Sequence, residues 1–211
     1  MKLAQRAPYE ALARTAAGAS RTERAEIIES QLLALAGFPA LDGGNKPLPR
    51  GGRFGSAMSV KEWRLFRVRP SNHPRRRIAG AARILDRFLD GGLARGLAQA
   101  TAGPRELTES LTVEAAPGGK GSLIGQDRAR DLAVNAALPF IHGLAAVGQK
   151  PDAAKAALEL YARFPKLQEN ELTREMAAQL IDPAWQGAVS TARRQQGLLH
   201  LASLLRGEGR P

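Results

Sequence analysis

The sequence predicts a mainly α fold, an irregular multi-helix bundle of about six to nine helices with long Gly/Pro-rich loops. Three observations point there. Apolar residues recur at three- to four-residue spacing over most of the chain, and 22 glycines and 13 prolines mark the breaks. At 211 residues the chain can also bury a genuine core without metals or disulfides.

The elements follow in order. Residues 9–17 and 23–36 have helical composition, with residues 18–21 between them. In the second stretch Ile27, Ile28, Leu32 and Leu35 share a face while Glu23, Arg24, Glu26 and Glu29 take other positions, and Ser20 or Thr22 suits its cap. Residues 41–56, LDGGNKPLPRGGRFGS, lack apolar periodicity and read as a loop or linker. Helix resumes near Ser59, with Glu62 as the reciprocal partner of a capping box, until Pro70 and Pro74 interrupt it. From Arg75 or Arg76, Ile78, Ala81, Ala82, Leu85, Phe88 and Leu89 form a broad apolar stripe that Gly91 and Gly92 end.

Residues 107–125 suit either a short strand around residues 111–114 or a helix followed by a loop. Residues 126–140 read as a helix with Ala129, Leu132, Ala133, Ala136 and Ala137 inward, and Pro139 is expected to kink it before residues 140–147. Pro151 suits the first turn of a helix carrying Ala154, Leu158 and Tyr161, which Pro165 closes. Asn170 or Thr173 begins a further helix through Ile181, and Pro183 with Trp185 start the last one. The expected organisation is an N-terminal helical segment at 1–40, a linker at 41–56, a helical domain at 57–206 sharing one core with the N-terminal helices, and a flexible tail at 207–211.

Composition narrows the chemistry. There is no cysteine, which excludes disulfides, thiol catalysis and cysteine-ligated zinc. No run of about 18 apolar residues and no signal-peptide core is present, so no membrane partner is expected and the cytoplasm is the expected location. The net charge of +11 is unevenly spread. Residues 1–49 carry six basic and five acidic side chains and residues 96–211 carry thirteen and twelve, whereas residues 50–95 carry twelve against three. A field of that kind is local and bears on partners.

Its centre is WRLFRVRPSNHPRRRIAG, residues 63–80. Arg64, Arg67, Arg69, Arg75, Arg76 and Arg77 place six guanidiniums within fourteen residues, mixed with Asn72 and His73 and flanked by Trp63 and Phe66. Guanidiniums offer paired donors to phosphate oxygens, helix-start amides add more, and an aromatic ring can stack a base. These residues are the candidates for contact with nucleic acid or an acidic protein partner. The competing reading has the arginines paired with the domain's own carboxylates and the aromatics in the core. Arg193, Arg194, Gln195 and Gln196 on the last helix are further candidates, either extending that surface or forming an ordinary solvated face.

Other features are weaker. GGKGS at 118–122 lacks the spacing and preceding strand of a phosphate loop. His142 and His200 read as packed residues, and no acidic or histidine spacing suggests a metal or cofactor. Asn135, inside an apolar stretch, is expected to join helices through a buried hydrogen bond. No catalytic constellation is complete.

Three segments together resemble an uncharacterised bacterial family, domain of unknown function family 2851: RVRPSNHPRRRIAGAA, IGQDRARDLAVNAALPFIH and ARRQQGLLHL. The first is similar to that family's Arg-Pro-x-Asn-x-Pro-x-x-Arg-Ile/Leu-Ala pattern, at Arg69, Pro70, Asn72, Pro74, Arg77, Ile78 and Ala79. The resemblance runs from about Tyr9 to Leu201 and implies the helical C-terminal portion of a longer protein. The family's strand-rich, nuclease-like N-terminal half has no counterpart in residues 1–40, and its C-terminal cysteine cluster is missing. Three readings stand: from the arginine-rich surface, a noncatalytic domain that binds a polyanion or acidic partner; from the resemblance, a nuclease fragment completed by a separately encoded N-terminal half; or a purely structural or degenerate product.

Overall fold

A computed structural model describes residues 9–38, 57–69, 72–115, 121–205 and 207. The linker expected at 41–56, the prolyl break at Pro70, most of GGKGS and the tail beyond residue 207 lie outside the described residues. The chain is mainly α, as its periodicity predicts. Its described residues divide into two compact units, one comprising those up to Leu93 with Val113–Ile124, the other Ala94–Thr112 with the residues from Gly125 onward. The division falls inside residues 57–206.

The first unit is built on α1 (Tyr9–Ala16), α2 (Arg21–Leu35) and α3 (Pro74–Arg87). Ser20 caps α2 in a reciprocal box with Glu23. Ile28, Leu32 and Leu35 of α2 enclose one core with Ile78 and Ala82 of α3 and Leu12 and Ala16 of α1. Burying a side chain such as Ile28, 1% exposed, contributes about 1.5–3 kcal/mol. At the edge of this packing Arg24 donates to Asp86 at 3.0 Å and Asp90 at 2.6 Å, so the carboxylate of Asp86 enters the core already paired.

The end of α2 turns through a Schellman motif. Gly37, at φ +77°, donates to the Ala34 carbonyl, and Phe38 donates to the Leu33 carbonyl at 2.9 Å. A Cβ on Gly37 would overlap the Met58 carbonyl oxygen, and Met58 donates back to Leu35 at 2.7 Å. This close approach fixes residues 57–60 against the helix end. The Ser59–Glu62 capping box forms, but it opens only a 3-10 turn, Val60–Glu62. The expected helix toward Pro70 is absent among residues 63–69, because Trp63 leaves the turn in extended conformation to donate its indole N–H to the Ala36 carbonyl at 2.8 Å. Tertiary bonding overrides a helical pattern of modest strength.

Residues 111–114 hold both alternatives read from the sequence. Helix α5 (Pro104–Leu111) ends just before β1 (Val113–Glu114), which pairs antiparallel with β2 (Ser122–Ile124). Strand β2 lies against α3, where Arg76 donates to the Ser122 carbonyl at 2.6 Å. Helix α4 (Leu93–Gln99) precedes α5 and buries only Leu97, too little for periodicity to reveal it.

In the second unit, α6 (Gln126–Leu132) widens into a π turn (Ala133–Ala137) that runs into α7 (Leu138–Val147). The cause is Pro139. Its missing amide and its ring prevent a normal turn onto residue 135, so the ladder shifts to an i→i−5 bond from Leu138 to the Ala133 carbonyl. The expected kink takes this form. Pro151 opens α8 (Pro151–Arg163), which packs on α7. Asn170 caps α9 (Glu171–Leu180) in a reciprocal box with Thr173. The last helix is in two pieces, a 3-10 segment Pro183–Ala188 and α10 (Ala192–Leu205). The break lets Thr191 bridge to Pro165 and Ala192 donate to the Phe164 carbonyl at 3.0 Å. Met176, Val189, Leu198 and Ala202 close a small core between α9 and α10. No described helix is long and apolar enough to cross a membrane.

Two mid-helix glycines separate propensity from packing. A Cβ at Gly143 meets nothing within 4 Å, whereas one at Gly80 sits 2.8 Å from Ile124 Cγ1. Gly143→Ala should stabilise the protein by about 0.5–1 kcal/mol. Gly80→Ala should forfeit that gain and lower the melting temperature, as α3 and β2 are pushed apart. Thermal unfolding of both variants checks this.

Candidate functional site

The arginine-rich segment is organised around Phe38, which is 5% exposed. Trp63 packs on it at 5.6 Å between centroids, His73 at 5.8 Å, and the Arg75 guanidinium lies 5.1 Å from its centroid. Trp63 is half-buried, donates its indole N–H to the Ala36 carbonyl and packs against the core. Phe66 is the opposite case. It is 85% exposed, with the Arg67 guanidinium 5.1 Å above its ring.

His73 has a structural task. Its Nδ1 accepts the Arg75 backbone N–H at 3.3 Å as the N-cap of α3, followed by Pro74 at the first helical position. That geometry needs the neutral ring with its proton on Nε2. Arg75, Arg76 and Arg77 therefore occupy the first turn of α3, where no acidic residue offsets them and the helix dipole is itself positive.

Three of the guanidiniums contact uncharged groups. Arg76, half-buried, reaches the Ser122 carbonyl; Arg77, exposed, donates to Asn72 Oδ1 at 3.3 Å; Arg75 covers Phe38. Arg64 and Arg69 are exposed, and Arg67 sits at φ 55°, an uncommon conformation for a side-chain-bearing residue. Among the described residues none of Arg64, Arg67, Arg69, Arg76 and Arg77 forms an ion pair with a carboxylate. Five of the unit's carboxylates are engaged elsewhere: Glu23 and Glu62 in capping boxes, Asp86 and Asp90 on Arg24, and Glu29 facing Arg83 at 3.9 Å. Burial pushes the Glu29 carboxyl above its ordinary range, with Arg83 only partly opposing it.

Arg193, Arg194, Gln195 and Gln196 belong to the second unit. Arg193 is exposed. Arg194 donates to the Ala188 carbonyl at 2.9 Å and Ser190 Oγ at 3.3 Å, which ties α10 to the turn before it. Gln195 departs from the expected surface: it is 2% exposed, accepting from the Leu167 amide at 3.0 Å and donating to the Leu167 carbonyl at 3.4 Å. Its amide satisfies a non-helical backbone that would otherwise be buried unpaired. Asn135 departs as well, being exposed rather than buried.

Gln196 and Asn135 instead line a cavity of about 370 Å3 within the second unit. Arg128, Asp131 and Asn135 come from α6 and its π turn, Gln168 and Asn170 from the segment before α9, and Gln196 from α10. Burial pushes the Asp131 carboxyl above its ordinary range; Arg128 opposes that and Asp127 adds to it. Sequence reading passed over Arg128, Asp131 and Gln168. The signal was the polar triplet Arg128, Asp131 and Asn135, spaced for one helix face, inside a stretch read for its alanines.

The cap assigned to His73 is testable. His73→Ala should cost about 1 kcal/mol of stability, and His73→Asn should restore most of it, because Asn supplies an equivalent acceptor. Urea titration of the two variants decides this. No family model, no curated protein and no solved structure matches the chain.

Proposed function

We propose that the first unit binds nucleic acid or a similar polyanion through the arginine-rich surface of residues 64–69 and 72–77, without catalysing a reaction. The observation that carries the reading is the missing compensation: Arg64, Arg67, Arg69, Arg76 and Arg77 have no carboxylate partner among the described residues, while Glu23, Glu62, Asp86, Asp90 and Glu29 are committed to caps and to Arg24 and Arg83. Phosphates on this surface would meet guanidiniums whose charge is undiminished. They would also offset the repulsion of three arginines in the first turn of α3. Phe66 adds an exposed ring for a base of a single strand.

Binding to single- and double-stranded DNA across a salt series tests the reading. Affinity should fall steeply with salt, with a slope of about −0.9 per phosphate neutralised on duplex. Arg64→Ala and Arg69→Ala should each reduce that slope by about 1 with little dependence on sequence. Phe66→Ala should weaken single-strand binding more than duplex binding. Absent or salt-insensitive binding overturns the proposal, and strong selectivity for an acidic protein over both DNA forms replaces it with a protein partner.

Arg67 separates stability from binding. Arg67→Gly relieves the left-handed backbone, so stability should hold or rise by up to about 1 kcal/mol while DNA affinity drops. Thermal unfolding and salt-dependent binding on the same variant read the two effects.

A further inference from the structure

The cavity of the second unit supports an inference independent of the arginine surface. Some of its side chains are satisfied within the protein: Gln195 holds the Leu167 backbone, and Asn170 and Thr173 cap each other. Others are not. Among the described residues Arg128, Asp131, Asn135, Gln168 and Gln196 form no hydrogen bond or ion pair, although the adjacent Asp127 and Arg130 pair with each other at 3.2 Å. The satisfied groups brace the wall, and the free ones line the space.

Their chemistry selects a ligand class. Arg128 and Asp131 lie three residues apart on α6, so the lining carries opposite charges on one helix face. A phosphate or other simple anion would meet Asp131, and a simple cation would meet Arg128. A molecule carrying both signs satisfies both. Asn135, Gln168 and Gln196 each present a donor and an acceptor together, as does a peptide unit. The rest of the lining is aliphatic, with Leu132, Leu167 and Leu199 and no aromatic ring on which a base would stack.

We propose that this cavity binds a small zwitterionic peptide of dipeptide size, its ammonium at Asp131, its carboxylate at Arg128, its peptide unit on the carboxamides and an aliphatic side chain against the leucines. A volume of about 370 Å3 lies at the small end of ligand clefts. The π turn contributes by carrying Asn135 and Ala136 on the cavity wall, a placement in keeping with the frequent use of such turns at functional sites.

Calorimetric titration of the full chain with leucyl-alanine tests this. The expected result is saturable one-site binding that weakens about tenfold or more when the dipeptide is N-acetylated, and again when it is C-amidated. Asp131→Asn should abolish the preference for the free amine, and Arg128→Gln the preference for the free carboxylate. Asp131→Asn is isosteric and Arg128 is exposed, so circular dichroism should be unchanged in both. Ala136→Phe should fill the cavity and block binding; should it fail to fold, the two terminus-matched variants still decide. The proposal is overturned by absence of saturable binding, by equal affinity for capped and free dipeptide, or by tighter binding of adenosine monophosphate than of leucyl-alanine.

Discussion

The arginine surface depends on the burial of one ring. Phe38 is driven into the core by the apolar area it removes from water, and Gly37 is the residue that lets the chain turn tightly enough to place it there. Once seated, Phe38 supplies a wall for Trp63, an edge for His73 and a π face for Arg75. Residues on both sides of Pro70 are thereby referred to the end of α2. The start of α3 inherits its position from that contact, and with it the direction in which three consecutive arginines leave the backbone.

The two units manage charge differently. In the second, Arg105 with Glu109, Arg130 with Asp127, Lys155 with Glu159 and Lys166 with Glu169 are all local helix-type or turn pairs between exposed or partly exposed groups. Such pairs neutralise their surroundings and add little stability. In the first unit, ion pairs serve the interior: Arg24 reaches across from α2 to α3, and its partners are lost to the arginines of residues 64–77. Arg76, Arg77 and Arg67 instead contact a carbonyl, a carboxamide and an aromatic ring. Neutral partners orient a cation without cancelling its field.

What could be read in the sequence was what neighbouring residues decide. The box at Ser59 and the caps open to Ser20 and Asn170 each involve residues three positions apart, and each forms. The stripe from Ile78 to Leu89 is long enough for its period to stand out, and α3 follows it. The failures are long-range. No local pattern shows that the Trp63 indole will bond the Ala36 carbonyl, so the helix expected beyond Glu62 does not form there. Gln195 looked like a solvated residue because its partner, the Leu167 backbone, is remote in sequence. The charge run of residues 50–95 was visible from composition, but the occupation of the nearby carboxylates was not.

The π turn has a consequence for the register of the chain on either side of it. An α-helix advances about 100° per residue, and a turn bonded i→i−5 accommodates one residue more than an α turn does. Arg128 and Asp131 are therefore out of phase with Leu138 and Ile141 by one position. Asp131 and Leu138, seven residues apart, would share a face along an uninterrupted helix, and the extra residue lets the polar and apolar faces be aimed independently. The unit can thus keep α7 buried through Leu138 and Ile141 while α6 turns its charged residues toward open space, and a single-residue deletion in residues 133–137 would couple the two faces again.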